Sequence, residues 1–532
     1  MSVKSEVEKT PEIEKTQKYA LLSVSNKEGI VDFAKIIDKF GYRIISTGGT
    51  SRTLGEGGVP FIPIQEITGN PECFDGRMKT ISFQIESGIL YDRTNPSHQQ
   101  EAEKLKIKPI DLVVCNLYPF EETIKNPDVT LEEALENIDV GGPTMVRAAA
   151  KNYKNVLVVV DPHDYQKVAE ALQKGTATED LRRELAAKAF FHLSLYDSLV
   201  GRFLNKENFP WELTLPGRKM IELRYGENPH QEGAFYFVPN TDVPLNKLKK
   251  IGGRELSLVN LTDINAGIES IRLFKNPAAA AVIKHNSPSG IALGKTPAEA
   301  LVRAIEADPE SAFGGVVVLN QPMDVESAKV ISSFKDERKS NIDIVAAPAI
   351  DDEAVELLKN VRASLGLYSF DRIPNQSLDY NIKSVEGGFI LQTADNNIEE
   401  SFGQWEVVSV VKPKKKQLEQ MRIAWKFLSR IRSNTVIVID KDLPMTRGIG
   451  SGQTSRFRST KIALEQAGKH AKGGILASDS FFPFNDSVRL AAEYGIGAIV
   501  QQGESINDQA SIEEVNKAGI PMVFTHRRAF WH

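Results

Sequence analysis

The chain has 532 residues, a formal net charge of -5, 41% hydrophobic and 25% charged residues, which excludes a strongly basic nucleic-acid surface or an anionic-membrane binder as its main character. Its length allows about three or four folding units. Only Cys73 and Cys115 are present, so a disulfide framework and a cysteine-rich zinc site are excluded; with no apolar run long enough for a membrane helix and no signal-peptide pattern, the cytoplasm is the expected location.

Residues 1–17, rich in Lys, Glu and Thr with few apolar side chains, read as a disordered tail. Ala20 to Val24 then reads as a short buried strand. Ser25-Asn26 offers a cap, and Ile30, Phe33, Ala34 and Ile37 recur on one helical face before Gly41. A second strand, Tyr42 to Ser46, runs into Thr47-Gly48-Gly49-Thr50, where glycines let backbone N–H groups approach an anion at the start of a helix. Asp111 to Leu117 and Val156 to Val160 are further apolar strands alternating with helical patterns, the signature of a parallel, doubly wound α/β unit. Within it, Gly76-Arg77-Met78-Lys79-Thr80 places two cations and a hydroxyl on one loop, suited to a phosphate. Asn116-Leu117-Tyr118-Pro119-Phe120 ends a strand with polar and aromatic groups. Asp139-Val140-Gly141-Gly142-Pro143-Thr144 sets a carboxylate before a helix start, with Arg147 and Lys151 one turn apart on that helix.

Residues 166–208 read as helical, and the period is lost between Asn205 and Pro216, where the first domain is expected to end. The next charged cluster is Arg224-Tyr225-Gly226-Glu227-Asn228-Pro229-His230-Gln231. Ala278 to Ile283 reads as a buried strand, Thr296-Pro297-Ala298-Glu299 as a capped helix start, and Lys284-His285-Asn286-Ser287-Pro288-Ser289-Gly290 between them as a reactive turn. An ammonium beside an imidazole disfavours a second positive charge, which makes His285 a candidate base near neutral pH. Ser311 to Gly315 opens the strand Val316 to Leu319, Asp343 precedes an apolar run, and Arg432-Ser433-Asn434 precedes the strand Thr435 to Ile439. Gly448 to Arg456 leads into a helix but lacks the G-x-G-x-x-G spacing of a dinucleotide loop, and no Walker A lysine motif occurs. Ser478 to Phe484 and Arg528-Ala529-Phe530-Trp531-His532 complete the set.

In this order, the motifs resemble the bifunctional AICAR transformylase / IMP cyclohydrolase family of purine biosynthesis, from Tyr19 to His532. The resemblance implies a methylglyoxal-synthase-like domain over 18–215 that closes formyl-AICAR to IMP. It implies a transformylase region over 216–532, made of two cytidine-deaminase-like α/β halves without zinc, that moves a formyl group from 10-formyltetrahydrofolate to the amine of AICAR. No tightly bound cofactor is implied, and a monovalent cation is compatible. The expected partners are these small molecules and a second copy of the chain in a homodimer, with no nucleic acid or membrane. A zinc deaminase is excluded because no His-x-Glu is paired with Pro-Cys-x-x-Cys.

By the same resemblance His285 is the base of formyl transfer, with Lys284 and Asn434 stabilising developing charge. Arg224 and Arg528 hold the ribotide phosphate, and Tyr225, Asn260, Gly314 and Asp343 position sugar and base. Arg456, Phe481, Asp486, Ser505 and Ile506 form the folate side. For ring closure, Lys151 exchanges a proton and Lys79, Tyr118 and Asp139 orient the reacting groups. The remaining ribotide contacts are Ser25, Asn26, Lys27, Thr47, Gly48, Gly49, Thr50, Arg77, Thr80, Cys115, Asn116 and Val140. No metal ligand is implied. Besides Ser289 before the turn glycine and Trp531 in the terminal signature, one stretch departs from the family: where two imidazoles are usual after Lys79-Thr80, the chain reads Ile81-Ser82-Phe83-Gln84-Ile85-Glu86. That leaves as the alternative an amino-terminal domain that binds nucleotide with weak or no ring closure.

Overall fold

Nearly uninterrupted apolar strands need cover on both faces, and the first five obtain it. In the computed structural model, which describes residues 17–532 except 75, 339–340 and 375–377, β1 (Lys18–Val24), β2 (Tyr42–Ser46), β3 (Ile62–Pro63), β4 (Ile110–Asn116) and β5 (Leu157–Val159) form one parallel sheet. The expected tail lies outside the described residues apart from Gln17, whose side-chain amide donates to the Gly41 carbonyl at 3.0 Å. Strand order is β3-β2-β1-β4-β5, so the winding reverses between β1 and β4. Loops leaving the carboxyl ends of those two strands diverge and leave a crevice, which is where open α/β sheets take ligands.

The helices of this unit differ from expectation at two ends. Ser25-Asn26 does not cap the first helix, Ile30–Lys39; its N-cap is Gly29 at φ 64°, and the Asn26 side chain instead accepts the Glu28 amide at 2.9 Å. Residues 166–208 are not one helix but two, Tyr165–Lys174 and Glu179–Leu204, because Gly175 takes the left-handed conformation and ends the first.

The chain divides into two compact units between Gly217 and Arg218. The second begins with the hairpin β6 (Arg218–Glu222) and β7 (Ala234–Phe237), then repeats one plan twice. The first half contains β8 (Lys249–Gly252), β9 (Ala278–Lys284), β10 (Ser287–Gly294), β11 (Val316–Leu319), β12 (Ile344–Ala347) and β13 (Gly366–Ser369), in the order β10-β9-β11-β12-β13-β8. After a separate hairpin, β14 (Tyr380–Val385) and β15 (Gly388–Thr393), come β16 (Glu406–Val407), β17 (Val436–Ile439), β18 (Thr446–Gly450), β19 (Ile475–Ser478), β20 (Ala498–Gln501) and β21 (Met522–Phe524). Their order, β18-β17-β19-β20-β21-β16, and their directions match the first half strand for strand. Helices Leu258–Ile271 and Lys415–Leu428 hold equivalent places and share one core with both sheets, through Ile264, Ile268, Trp425, Leu428 and Ile437.

Part of the stretch read as a reactive turn, and the start of the stretch read as leading into a helix, are strands. Ser287-Pro288-Ser289-Gly290 lies in β10, and Gly448-Ile449-Gly450 lies in β18. Proline is tolerated because β10 is the edge of its own sheet and its register shifts between Pro288 and Gly290. The glycines permit close approach of a helix: a Cβ on Gly290 would stand 2.0 Å from the Ala304 carbonyl oxygen, and one on Gly448 1.9 Å from that of Ala463. β10 and β18 then meet edge to edge, Leu293 N–H donating to the Pro444 carbonyl at 2.8 Å and Ile291 N–H to the Thr446 hydroxyl at 3.0 Å. Among the described residues no helix is long and apolar enough to cross a membrane.

Candidate active sites

In the first unit, the crevice between β1 and β4 is bridged by one side chain. Asn116, at the end of β4, accepts the Ser25 and Asn26 amides at 2.6 and 2.8 Å and donates to the Asn26 carbonyl at 3.1 Å. This fixes the loop that carries Lys27. Thr47 N-caps the helix Gly48–Glu56 by backbone geometry alone, and its buried hydroxyl oxygen has no partner among the described residues. Thr50 closes the same corner by bonding both the amide and the carbonyl of Val24.

Two ammonium groups converge here. A Cβ on Gly48 would lie 3.8 Å from Lys79 Nζ and one on Gly49 3.9 Å from Lys27 Nζ, so glycine leaves the amines room beside a helix start. Burial, and then repulsion from Lys79, lowers the pKa of Lys27. Two cations and free amides at one corner make a site for a doubly charged anion. Lys79 also stands 3.8 Å from Glu72, and Arg77 pairs with Glu136.

Asp139 accepts the Gly142 amide at 2.8 Å and the Tyr118 amide, while its own N–H donates to the Tyr196 hydroxyl at 2.7 Å. Burial raises its pKa in spite of those bonds and of Lys79. Thr80 is buried against Gly141, and Cys115 is buried in β4, its thiol pushed far up by desolvation. Val140 is exposed, and with Asp139 and Lys151 it lines a cavity of about 530 Å³. Glu86, singled out in the sequence only as a missing imidazole, lines it too.

In the second unit the reactive turn is tighter than expected. Only His285 and Asn286 form it, at φ 54° and 62°, joining β9 to β10 as a two-residue hairpin. Lys284 Nζ donates to the Phe313 carbonyl at 2.8 Å and lies 5.8 Å from the Phe313 ring centre. Beneath the turn, buried Asp263 accepts the Asn286 amide at 2.7 Å and the His285 amide. Burial raises the Asp263 pKa, while the two amides and attraction to His285 work against that rise. Sequence reading missed Asp263, one of two carboxylates in the helix Leu258–Ile271, with no local signal to set it apart.

The turn lies at the carboxyl end of β9, as expected. Because β11 is antiparallel to β9, however, it is the starts of β11, β12 and β13 that stand beside it. Gly314, at φ 71°, donates its amide to Asn341 at 2.6 Å, and Asp343 is held by Arg254 and Arg362, each at 2.7 Å. Asn260 forms a capping box with Ser257, and Arg224 donates to its neighbour Tyr225 at 2.9 Å.

Since β10 runs antiparallel to β18, this same end of the joined sheets also carries the loops after β18 to β21. Asn434 accepts from Arg456 at 2.7 Å and donates to the Gln453 carbonyl at 2.9 Å. Arg456 is itself buried against Asp479, with Ser478 at 3.1 Å, so its guanidinium fixes the Asn434 amide. The terminal segment is tied in by Ala529 N–H to Asp479 at 2.8 Å and Ser433 N–H to Trp531 at 2.9 Å, with Arg430 4.9 Å from the Trp531 ring centre. Arg528 is exposed, 4.8 Å from the Phe530 ring centre. Phe481 is half-buried, Asp486 starts the helix Asp486–Glu493, and after β20 Ser505 is half-buried and Ile506 exposed. Among the described residues no group of three His, Cys, Asp or Glu is placed to hold a metal ion.

Comparison with known proteins matches residues 149–466 to a family model described as AICARFT/IMPCHase bienzyme, and residues 29–144 to an MGS-like domain. The bifunctional purine biosynthesis protein PurH of Thermoanaerobacter sp. (strain X514) is 46% identical over 522 residues, 97% of this chain and 100% of that protein. PurH of Anoxybacillus flavithermus (strain DSM 21510 / WK1) is 44% identical over 523 residues, 96% and 99% of the two chains. PurH of Lysinibacillus sphaericus (strain C3-41) is 44% identical over 522 residues, 97% and 100%. Matched by the bienzyme model over more than half its length and by these relatives over nearly all of it, the chain belongs to the bifunctional AICARFT/IMPCHase family.

Proposed function

We infer that the chain catalyses two consecutive steps of purine biosynthesis, formyl transfer from 10-formyltetrahydrofolate to AICAR in the unit from Arg218 onward and dehydrative closure of formyl-AICAR to IMP in the unit ending at Gly217. The observation that carries this is the end-to-end match to bifunctional relatives, 46% identical over 97% of the chain. It covers both units, which does not favour a transformylase with an inactive amino-terminal domain.

In formyl transfer, the AICAR amine shares its lone pair with the ring and needs a base to take its proton as it attacks the formyl carbon. His285 takes that proton. Lys284 and the Asn434 amide stabilise charge on the formyl oxygen or the departing folate nitrogen, and the Arg456 bond to Asn434 supports that orientation. Arg224 and Arg528, both exposed, take the ribotide phosphate, with Tyr225, Asn260 and Gly314 beside sugar and base. Asp343, held by two guanidinium groups, acts by aligning Arg254 and Arg362. Phe481 supplies an apolar face for the pterin, with Asp486 and the Ser505-Ile506 backbone nearby in the second half.

In ring closure, Lys27, Lys79 and the Thr47 to Thr50 corner hold the phosphate, with Arg77 and Thr80 on the adjoining loop. Asp139, Tyr118 and Lys151 orient carboxamide and formyl group and exchange protons. The enzyme works in the cytoplasm as a homodimer whose transformylase sites draw on both subunits, a reading supported by family membership and by the paucity of cysteine.

A coupled assay of the intact protein with AICAR and 10-formyltetrahydrofolate, scoring formyl-AICAR and IMP separately, tests both steps. IMP is expected, with formyl-AICAR as a transient; formyl-AICAR accumulating without IMP would restrict the enzyme to the first step. Asp263→Ala leaves the Asn286 amide without its acceptor, a loss worth about 1–3 kcal/mol. Formyl transfer is expected to fall while IMP formation from added formyl-AICAR stays at the wild-type rate, as separate measurement of the two rates will show.

A further inference from the structure

Ser82 caps the helix Phe83–Leu90 by accepting the Ile85 amide at 3.2 Å. Ile85, Gly88 and Ile89 are buried on one side of that helix, which packs against the helix Gly141–Lys151. A Cβ on Gly88 would stand 2.5 Å from the Lys108 carbonyl oxygen, so the helix lies close against its surroundings and cannot readily turn. Glu86 is thereby presented to the wall of the cavity that Asp139 and Lys151 also line. Its Oε1 is shut off from solvent and has no hydrogen-bond partner among the described residues. A carboxyl group buried without a donor is costly as an anion.

We propose that Glu86 is a further catalytic residue of ring closure, handing a proton to the hydroxyl group that leaves as water. The carboxamide nitrogen bonds to the formyl carbon and gives up one proton to the formyl oxygen, leaving a hydroxylated ring carbon. The C–O bond then breaks, the hydroxyl leaves with the Glu86 proton as water, and the nitrogen that carried the formyl group loses its own proton, so that the ring becomes aromatic. That second proton returns to Glu86, so one water is lost and nothing is oxidised or reduced. The inference rests on the assignment of ring closure to this cavity.

Burial pushes the Glu86 carboxyl up to about 7, which keeps a working fraction protonated near neutral pH. Other ionisable groups face the same space: Arg147 and Lys151 from the helix Gly141–Lys151, Asp139 before it, and Tyr196 and Asp197 from the helix Glu179–Leu204. On the far side of Glu86, His98 and Glu101 line a neighbouring cavity. The remaining elements packed on its helix carry Glu66 and Asp111, the latter occupied by the Tyr19 amide at 3.0 Å and by Arg93 at 3.4 Å.

The test follows IMP formation from formyl-AICAR by the full-length protein across pH. Wild-type turnover is expected to fall as pH rises through about 7, where Glu86 loses its proton. Glu86→Gln should lower turnover by roughly 100-fold, the scale of a lost general acid, remove that limb, and leave formyl transfer to AICAR unchanged. Glu86→Asp should keep a limb at shifted pH. An unchanged rate and profile in Glu86→Gln would overturn the proposal, as would an unshifted limb in Glu86→Asp should the glutamine variant fail to fold. Lys151→Met separates the two readings. If it abolishes ring closure while Glu86→Gln does not, the cavity stands and Glu86 falls; if it leaves ring closure intact, the assignment of the cavity itself is wrong.

Linkage gives an independent readout. The folded pKa lies above the ordinary value of 4.5, so the stabilisation linked to this proton is complete below about 4.5 and is lost as pH rises through about 7. The melting temperature of Glu86→Gln should therefore decline less than that of wild type between those limits. Equal declines would show that Glu86 is already ionised in the fold and overturn the proposal.

Discussion

Replacing His285 by alanine is expected to lower formyl transfer to AICAR by roughly 100-fold or more, the usual scale of a lost general base, without weakening AICAR binding. The imidazole stands at the tip of a two-residue hairpin with both residues in the left-handed region, a conformation that asparagine and histidine adopt more readily than most residues and that the surroundings here hold in place. Those surroundings are visible. Asp263 takes the amides beneath the turn, β9 and β10 pair on either side, and Gly290 lets the helix Pro297–Ala307 press against β10. Removing the ring therefore removes a proton acceptor without removing the platform that bears it. Lys284 keeps its bond to Phe313, and Arg224 and Arg528, the proposed phosphate contacts, are untouched. IMP formation from added formyl-AICAR should be unaffected, since the groups proposed for that step lie in the other unit. Unchanged formyl transfer in this variant would remove His285 from the chemistry.

Lys151→Met should have the complementary result: formyl-AICAR accumulates from AICAR and IMP appears at least 100-fold more slowly, on the general acid–base scale. Lys151 is the last residue of the helix Gly141–Lys151, and its amine and the Arg147 guanidinium, one turn earlier, line the same cavity. Arg147 lies 3.8 Å from Asp197, while Lys151 is exposed at the cavity edge. Methionine preserves length and apolar packing, so the measured loss reports the amine. The favourable interaction of a cation with a helix carboxyl end is lost as well, at about 0.3–1 kcal/mol, too little to account for a hundredfold change through unfolding. Product analysis by absorbance, with formyl-AICAR supplied directly in one series and generated from AICAR in another, checks the expectation. Undiminished IMP formation would take Lys151 out of ring closure.

The parallel sheet of the first unit was legible because β1, β2, β4 and β5 are short apolar runs alternating with helical patterns. The errors came where local chemistry was read without its tertiary setting. Ser287-Pro288-Ser289-Gly290 resembles a loop by composition, yet it pairs with β9 because an edge strand accommodates proline and the neighbouring helix demands glycine. Gly448 and Gly450 are spaced like a loop for the same reason. Gly175 was missed as a helix terminator within a long periodic stretch. The doubling of the second unit came only through resemblance, since β8 (Lys-Lys-Ile-Gly) and β16 (Glu-Val) share no pattern. Asp263 escaped notice, and Glu86 was noted only for the imidazole it replaces, because a carboxylate in a helical run is ordinarily solvated, and burial is a property of the fold.

Proton transfer at His285 is tested most directly by a crystal structure of the protein with AICAR and a non-reactive analogue of the formyl folate. An imidazole nitrogen should lie within about 3 Å of the 5-amino nitrogen, hydrogen-bond reach for a base and its proton. A ring well outside that distance in every site of the assembly, with another group against the amine, would contradict the assignment.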